Sequence, residues 1–304
     1  MVDPARTNLY RYTPATNAFM VTFWYPADPP PAGVLPATMW DRRLATDSSL
    51  YPYGGYDPRW APLIAKLVGH RFSGVPLAAG TNTFPVVLDS HGLPGWRKLN
   101  SSNAEDLASH GYVVVAIDHS DCWATEFPDG RYLSGNHSGD TASRLQDMTF
   151  LLDKLAELNA SDPLFAGRLD LERIGVSGGS FGGMVVTTCH TNERVKCVAL
   201  YDATNFDPTT RLQKPLLVAL GENNYFYAQD LQLFNQAATN AAFFQLHGAG
   251  HMTPCDIGWT AELPGGRGPT LAMNACRVWF FDTYLKGETP PFPANPEIYN
   301  VHRK

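Results

Sequence analysis

Between Arg173 and His190 the chain passes from an apolar run, Ile174-Gly175-Val176-Ser177, through Gly178-Gly179-Ser180-Phe181-Gly182, and into Gly183-Met184-Val185-Val186. This spacing predicts a strand, a tight turn and a helix from Phe181 to His190. A residue at the apex of such a turn is held in a strained backbone with its side chain pushed out above the sheet. Only glycine fits two positions before and two after it. A second frame, Gly175-Val176-Ser177-Gly178-Gly179, also fits. Ser177, however, lies within the apolar strand and is followed by glycines rather than by a helix. The apex is therefore assigned to Ser180, with Ser177 a buried strand serine.

The rest of the chain from about residue 84 extends the same alternation. Strand-like runs occupy Phe84 to Ser90, Tyr112 to Ile117, Val195 to Tyr201, Pro215 to Leu220 and Ala242 to Leu246. Helical periodicity covers Ser102 to Ser109, residues 140–159, where Leu145, Met148, Leu151, Leu152, Leu155 and Leu158 share a face, and Thr270 to Leu285. Continuous apolar strands separated by helices predict an α/β fold, a mostly parallel, doubly wound sheet with helices on both faces. Ala18 to Tyr25 reads as an added edge strand. Residues 26–83, rich in proline, glycine and aromatics, read as an excursion with one short helix, Trp60 to Val68, so the 304 residues are expected to form one domain.

Composition narrows the function. Apolar residues make up 44% of the chain and charged ones 17%, enough for a large core; the net charge is −6. With no basic block, nucleic-acid binding is not expected. No apolar run approaches the roughly 20 residues of a membrane span. The five cysteines, Cys122, Cys189, Cys197, Cys255 and Cys276, show no zinc-like spacing. Cys255 with Cys276 is the candidate disulfide. No leader opens the sequence. The expectation is a secreted protein whose leader lies outside it, with the cytoplasm as the alternative.

A serine hydroxyl becomes a nucleophile at neutral pH when a histidine takes its proton, a carboxylate orients that histidine, and N–H donors face the oxyanion. With such an elbow the order is Ser, acid, His. In open α/β sheets these groups sit at carboxyl ends of strands. Asp202 follows the Val195 strand and Glu222 the Pro215 strand; Asp202 is preferred. His247 and His251 both follow the last core strand, and His251, in the Gly248-Ala249-Gly250 loop, is preferred. The oxyanion donors are Phe181 N–H, next to the nucleophile, and Leu93 N–H, in the turn His91-Gly92-Leu93, since Pro94 has no N–H. Trp96, Trp123, Tyr201, Tyr225 and Phe226 are candidates for an apolar pocket. A metal site from His119, Asp121 and His137 is the alternative use of those side chains, although their spacing does not demand one.

Phe84 to Leu93, Asp106 to Val114, the Gly178 to Gly183 elbow and Phe23-Trp24-Tyr25-Pro26-Ala27 together resemble the platelet-activating-factor acetylhydrolase family, an α/β-hydrolase branch. Tyr201-Asp202-Ala203 and the Gly250-His251 loop extend the resemblance to about residue 285. It implies an α/β-hydrolase fold and cleavage of short or oxidised acyl esters without metal or cofactor. It also implies Ser180, Asp202 and His251 as the triad, with Leu93 and Phe181 at the oxyanion. The sequence departs from many relatives at Gly179, where they carry histidine. The alternatives are a polyester hydrolase or lipase of the same fold and, outside enzymes, a catalytically silent binding module. Small-molecule, lipid or polymer esters are the expected substrates.

Overall fold

The computed structural model describes residues 1–6, 18–41, 43, 45, 61–134, 139–203, 207, 209–222, 224, 226–256 and 267–304. Its centre is an eight-stranded sheet in the order β1-β3-β2-β6-β7-β8-β9-β10. The strands are β1 Val21–Trp24, β2 Phe84–Ser90, β3 Val113–Ile117, β6 Leu169–Gly179, β7 Val195–Tyr201, β8 Leu216–Gly221, β9 Ala241–Leu246 and β10 Ile298–Arg303. β3, β2, β6, β7, β8 and β9 run parallel, while β1 and β10 close the edges antiparallel to β3 and β9. A two-stranded hairpin, β4 Ala124–Glu126 and β5 Tyr132–Ser134, stands apart from it.

The apolar strands are buried on both faces, and successive side chains alternate between two cores. On one face Val86, Leu88, Val113, Val115, Val176 and Val198 pack with α3 Thr141–Ser161, α4 Phe181–Thr188 and α5 Tyr227–Gln236. On the other, Val87, Val114, Ala199, Leu217 and Phe244 pack with α2 Ser101–Ser109 and α6 Gly268–Phe281. This is the doubly wound sheet that the alternation predicts. α3 begins at Asp140, whose side chain accepts from Ala142 N–H at 3.0 Å, a side-chain N-cap. α6 is longer than one regular helix: its last turn widens into a π-turn, Asp282–Lys286, which stops at left-handed Gly287.

Three expectations need correction. The helix drawn from Trp60 to Val68 is only a single turn, α1 Ala61–Ile64; Trp60 lies outside the described residues, and Val68 instead bridges Thr38. No disulfide joins Cys255 and Cys276, and all five cysteines are buried. Among the described residues Trp96 and Trp123 do not line the pocket beside Ser180. They form a satellite core with Met39, Trp40, Ile64 and Leu99, in which Trp96 meets Trp40 edge-on at 4.5 Å. Described parts of the excursion thus pack beneath the turn that follows β2. No helix among the described residues is long and apolar enough to cross a membrane.

Candidate active site

The register brings the predicted residues together. β2 pairs with β6 so that Ser90 faces Gly178, and β6 pairs with β7 so that Gly179 faces Tyr201. The residues that immediately follow, His91 to Leu93, Ser180 and Asp202, therefore leave the same edge of the sheet side by side. Ser180 adopts φ 52° and ψ −126°, a conformation that costs a non-glycine residue of order 1–3 kcal/mol. It is tied down by its N–H to Tyr201 O at 3.1 Å, and its own carbonyl accepts from Met184 N–H. Close packing accounts for the elbow glycines: a Cβ at Gly182 would lie 2.0 Å from Ser90 O. Ser177 is fully buried and donates to Asp89, while Arg277 Nη2 donates to Ser177 Oγ at 2.8 Å, so it is a strand serine as predicted.

Asp202 sits at left-handed φ 41° with 2% of its surface exposed. Its Oδ1 accepts from Gly221 N–H at 2.9 Å and Asn224 Nδ2 at 2.7 Å. Its Oδ2 lies 3.6 Å from His251 Nδ1. His251 is half-exposed and lines, with Ser180, Leu93, Tyr201, Met252 and Cys255, a pocket of about 110 Å³. No hydrogen bond joins the Ser180 hydroxyl to the His251 ring among the described residues. The loop carrying His251 is anchored through Asp256, which accepts from Trp40 Nε1 at 3.0 Å and from the N–H groups of Ser101 and Ser102 at the start of α2. Burial pushes the Asp256 carboxyl up to about 7 although the Ser102 N–H opposes that rise.

The competing acid and base pair with each other elsewhere. His247 Nδ1 lies 3.2 Å from Glu222 Oε1 in an exposed pair, and the His247 ring stacks on Tyr299 at 3.9 Å. Phe226 approaches His251 with ring centroids 6.4 Å apart; Tyr225 lies outside the described residues. Of the alternative metal set, His137 is also outside them. His119 is engaged by Asp147 and Ser90, and Asp121 by Arg144.

The turn after β2 lies against the elbow. A Cβ at Gly92 would sit 3.4 Å from Ser180 Cβ, so this backbone touches the elbow. The Leu93–Pro94 bond is cis. Burial, then the neighbouring charges of Arg144 and His119, hold His91 well below the ordinary imidazole range. The neutral ring donates from Nδ1 to Gly92 O at 2.7 Å and accepts the His119 N–H on Nε2 at 3.3 Å. The first N–H groups of α4, beginning at Phe181, have no intrahelical acceptor. Phe181 thus opens α4 directly after Ser180, and Leu93 lines the same pocket as Ser180. Arg144, a lone arginine in an amphipathic helix with no distinguishing motif, contacts both the turn and the Phe181 ring.

A family model described as "Platelet-activating factor acetylhydrolase, isoform II" matches residues 64–131, a stretch that includes β2, its turn and β3 and stops short of Ser180. The chain is similar to platelet-activating factor acetylhydrolases. It is 25% identical over 261 residues to the platelet-activating factor acetylhydrolase of Cavia porcellus, covering 69% of this chain and 59% of that protein. The enzyme of the same name from Bos taurus is 24% identical over 200 residues, 51% of this chain and 45% of that one. The chain thus spans about three fifths or less of the curated relatives it matches. A solved ferulic acid esterase from Streptomyces cinnamoneus superposes with a TM-score of 0.76 at 26% identity, over 98% of this chain and 93% of that one. The fold is that of the α/β-hydrolases. Where many relatives are expected to carry histidine before the elbow serine, Gly179 leaves its space to Tyr201, whose ring would lie 2.0 Å from a Cβ there.

Proposed function

We propose that this protein is a serine carboxylic-ester hydrolase acting on short-chain or oxidised acyl esters, with phospholipid sn-2 esters among its candidate substrates. The observation that carries the reading is one shared pocket: Ser180 at a strained elbow and His251 line it, with the Asp202 carboxylate behind the imidazole. In the reaction His251 Nε2 takes the Ser180 proton as Oγ attacks the ester carbonyl. Asp202 accepts from Nδ1–H and stabilises the imidazolium. Leu93 and Phe181 N–H groups receive the oxyanion. Collapse of the tetrahedral intermediate expels the alcohol, which is protonated by His251, and water activated by the same ring releases the acid. The missing Ser180–His251 hydrogen bond is consistent with a site that tightens when substrate binds.

A pocket of about 110 Å³ is small beside the 300–1,000 Å³ typical for drug-sized ligands, which favours a short acyl group over a long one. The near full-length likeness to a ferulic acid esterase favours a second reading, in which the acyl group is an aromatic acid entering from the open side. Polyesters are the polymer form of that reading. Secretion is the location that goes with either.

The deciding experiment is fluorophosphonate labelling with peptide mapping, alongside a p-nitrophenyl ester chain-length series, a short-chain phospholipid, a feruloyl ester and a polyester film. The adduct is expected on Ser180, activity is expected to vanish in Ser180→Ala, and Ser177→Ala is expected to keep it. An unlabelled Ser180 in folded protein refutes the hydrolase and favours a binding module. A preference for the feruloyl ester over acetyl and butyryl esters selects the second reading.

A further inference from the structure

Arg144 sits in the first turn of α3, wholly buried. Both oxygens of Asp121 accept from its Nε, at 2.8 and 2.9 Å. That pairing neutralises the cation along one edge of the guanidinium and leaves the two terminal nitrogens free to donate elsewhere. Nη1 donates to His91 O at 2.5 Å and Nη2 to Gly92 O at 3.3 Å. The guanidinium carbon also lies 4.7 Å from the centroid of the Phe181 ring. One side chain therefore grips the two carbonyls of the turn after β2 and packs against the residue after Ser180.

The Gly92 carbonyl and the Leu93 N–H belong to one peptide unit. In a trans peptide they point in opposite directions. Holding the carbonyl towards Arg144 and His91 Nδ1 turns the Leu93 N–H the other way, into the pocket beside Ser180. A cationic donor on the carbonyl also polarises the peptide and makes its N–H a stronger donor, as chains of hydrogen bonds reinforce one another.

We propose that Arg144 is a positioning residue for ester hydrolysis, orienting the Gly92–Leu93 peptide and the Phe181 side chain so that both N–H groups meet the oxyanion. The inference rests on Ser180 being the nucleophile. It predicts that the residue acts on the transition state and leaves ground-state binding alone. Lysine is a poor substitute, because one ammonium cannot span Asp121, two carbonyls and a ring face.

The test uses the full chain with p-nitrophenyl acetate, counting active sites by fluorophosphonate titration to its end point. For Arg144→Lys and Arg144→Ala, kcat per titrated site is expected to fall about 10- to 100-fold with KM within about twofold, since a misplaced oxyanion donor weakens only the transition state. A trifluoromethyl ketone that forms a tetrahedral adduct is expected to lose affinity by the same factor as kcat/KM. Added guanidinium is expected to restore part of kcat in Arg144→Ala and none in wild type. A purely structural role lowers melting temperature and the number of titratable sites but leaves kcat per site unchanged, and that result overturns the inference. If both variants fail to fold, Asp121→Asn decides, since it keeps the arginine and removes its anchor: a fall in kcat per site supports the proposal and an unchanged value overturns it. Failure of the parent reading looks different, because wild-type protein then yields no Ser180 adduct at all.

Discussion

Asp230, in the first turn of α5, offers the sharpest test of the electrostatics around the site. The residue is fully buried, and among the described residues neither carboxylate oxygen has a hydrogen-bond partner. Burial, reinforced by the charge of Asp202, pushes its carboxyl from 3.8 up to about 9. The folded protein consequently holds it neutral at pH 7, whereas the unfolded chain ionises it. A group whose folded pKa is raised contributes stability that is complete below the unfolded value and is lost as pH climbs towards the folded one. The loss runs at about 1.4 kcal/mol per pH unit, so between pH 4 and 7 it amounts to roughly 4 kcal/mol. Asp230→Asn keeps the shape and abolishes the titration. Urea unfolding of both proteins at pH 5, 6, 7, 8 and 9 should therefore show the wild type losing ground steadily to the variant across this range. A constant offset between the two is expected from the unpaired amide, so the slope carries the information. Parallel profiles from pH 5 to 9 would refute the claim that this carboxyl is buried without a partner.

Gly179→Ala places a methyl 2.0 Å from the Tyr201 ring and is expected to cost about 1–3 kcal/mol in denaturant unfolding, by overpacking. Combining it with Tyr201→Ala should recover part of that loss, and strict additivity would count against the clash. His251→Asn should abolish esterase activity. His247→Asn should leave it within about twofold, because an exposed polar contact with Glu222 contributes little; the reverse order of effects would move the base to His247.

The fold was legible in the sequence wherever burial is two-sided. Tyr112 to Ile117 and Pro215 to Leu220 read as parallel strands because helices cover both faces, leaving no polar alternation to blur them. β10, Ile-Tyr-Asn-Val-His-Arg, did not read as a strand. It lies at an edge, half-exposed, and takes its place by pairing with β9, which local sequence does not encode. The hairpin β4–β5 has strands of only three residues, too short to show a period, and the helix expected from Trp60 to Val68 is cut to Ala61–Ile64, where Ala61 and Ile64 join a satellite core. Trp96 and Trp123 looked like pocket aromatics from their neighbours in sequence, yet the excursion brings Trp40 to cover Trp96.

What the sequence determined by itself was the elbow and its frame. The glycines around Ser180 are local requirements of a strained turn, and a buried serine followed by glycines cannot play the same part. It also put every candidate acid and base at a strand end, because parallel strands joined by helices all finish on one side. Choosing among them needed tertiary structure. Asp202 and Glu222 follow adjacent strands alike, but only Asp202 turns back at φ 41° towards His251, while Glu222 reaches His247 at the surface. Arg144 shows the limit most clearly. Its partners Asp121, His91 and Gly92 lie 23, 53 and 52 residues away. A lone arginine in an amphipathic helix carries no mark of such contacts, because local sequence sets backbone preference and only the folded sheet brings these carbonyls within reach.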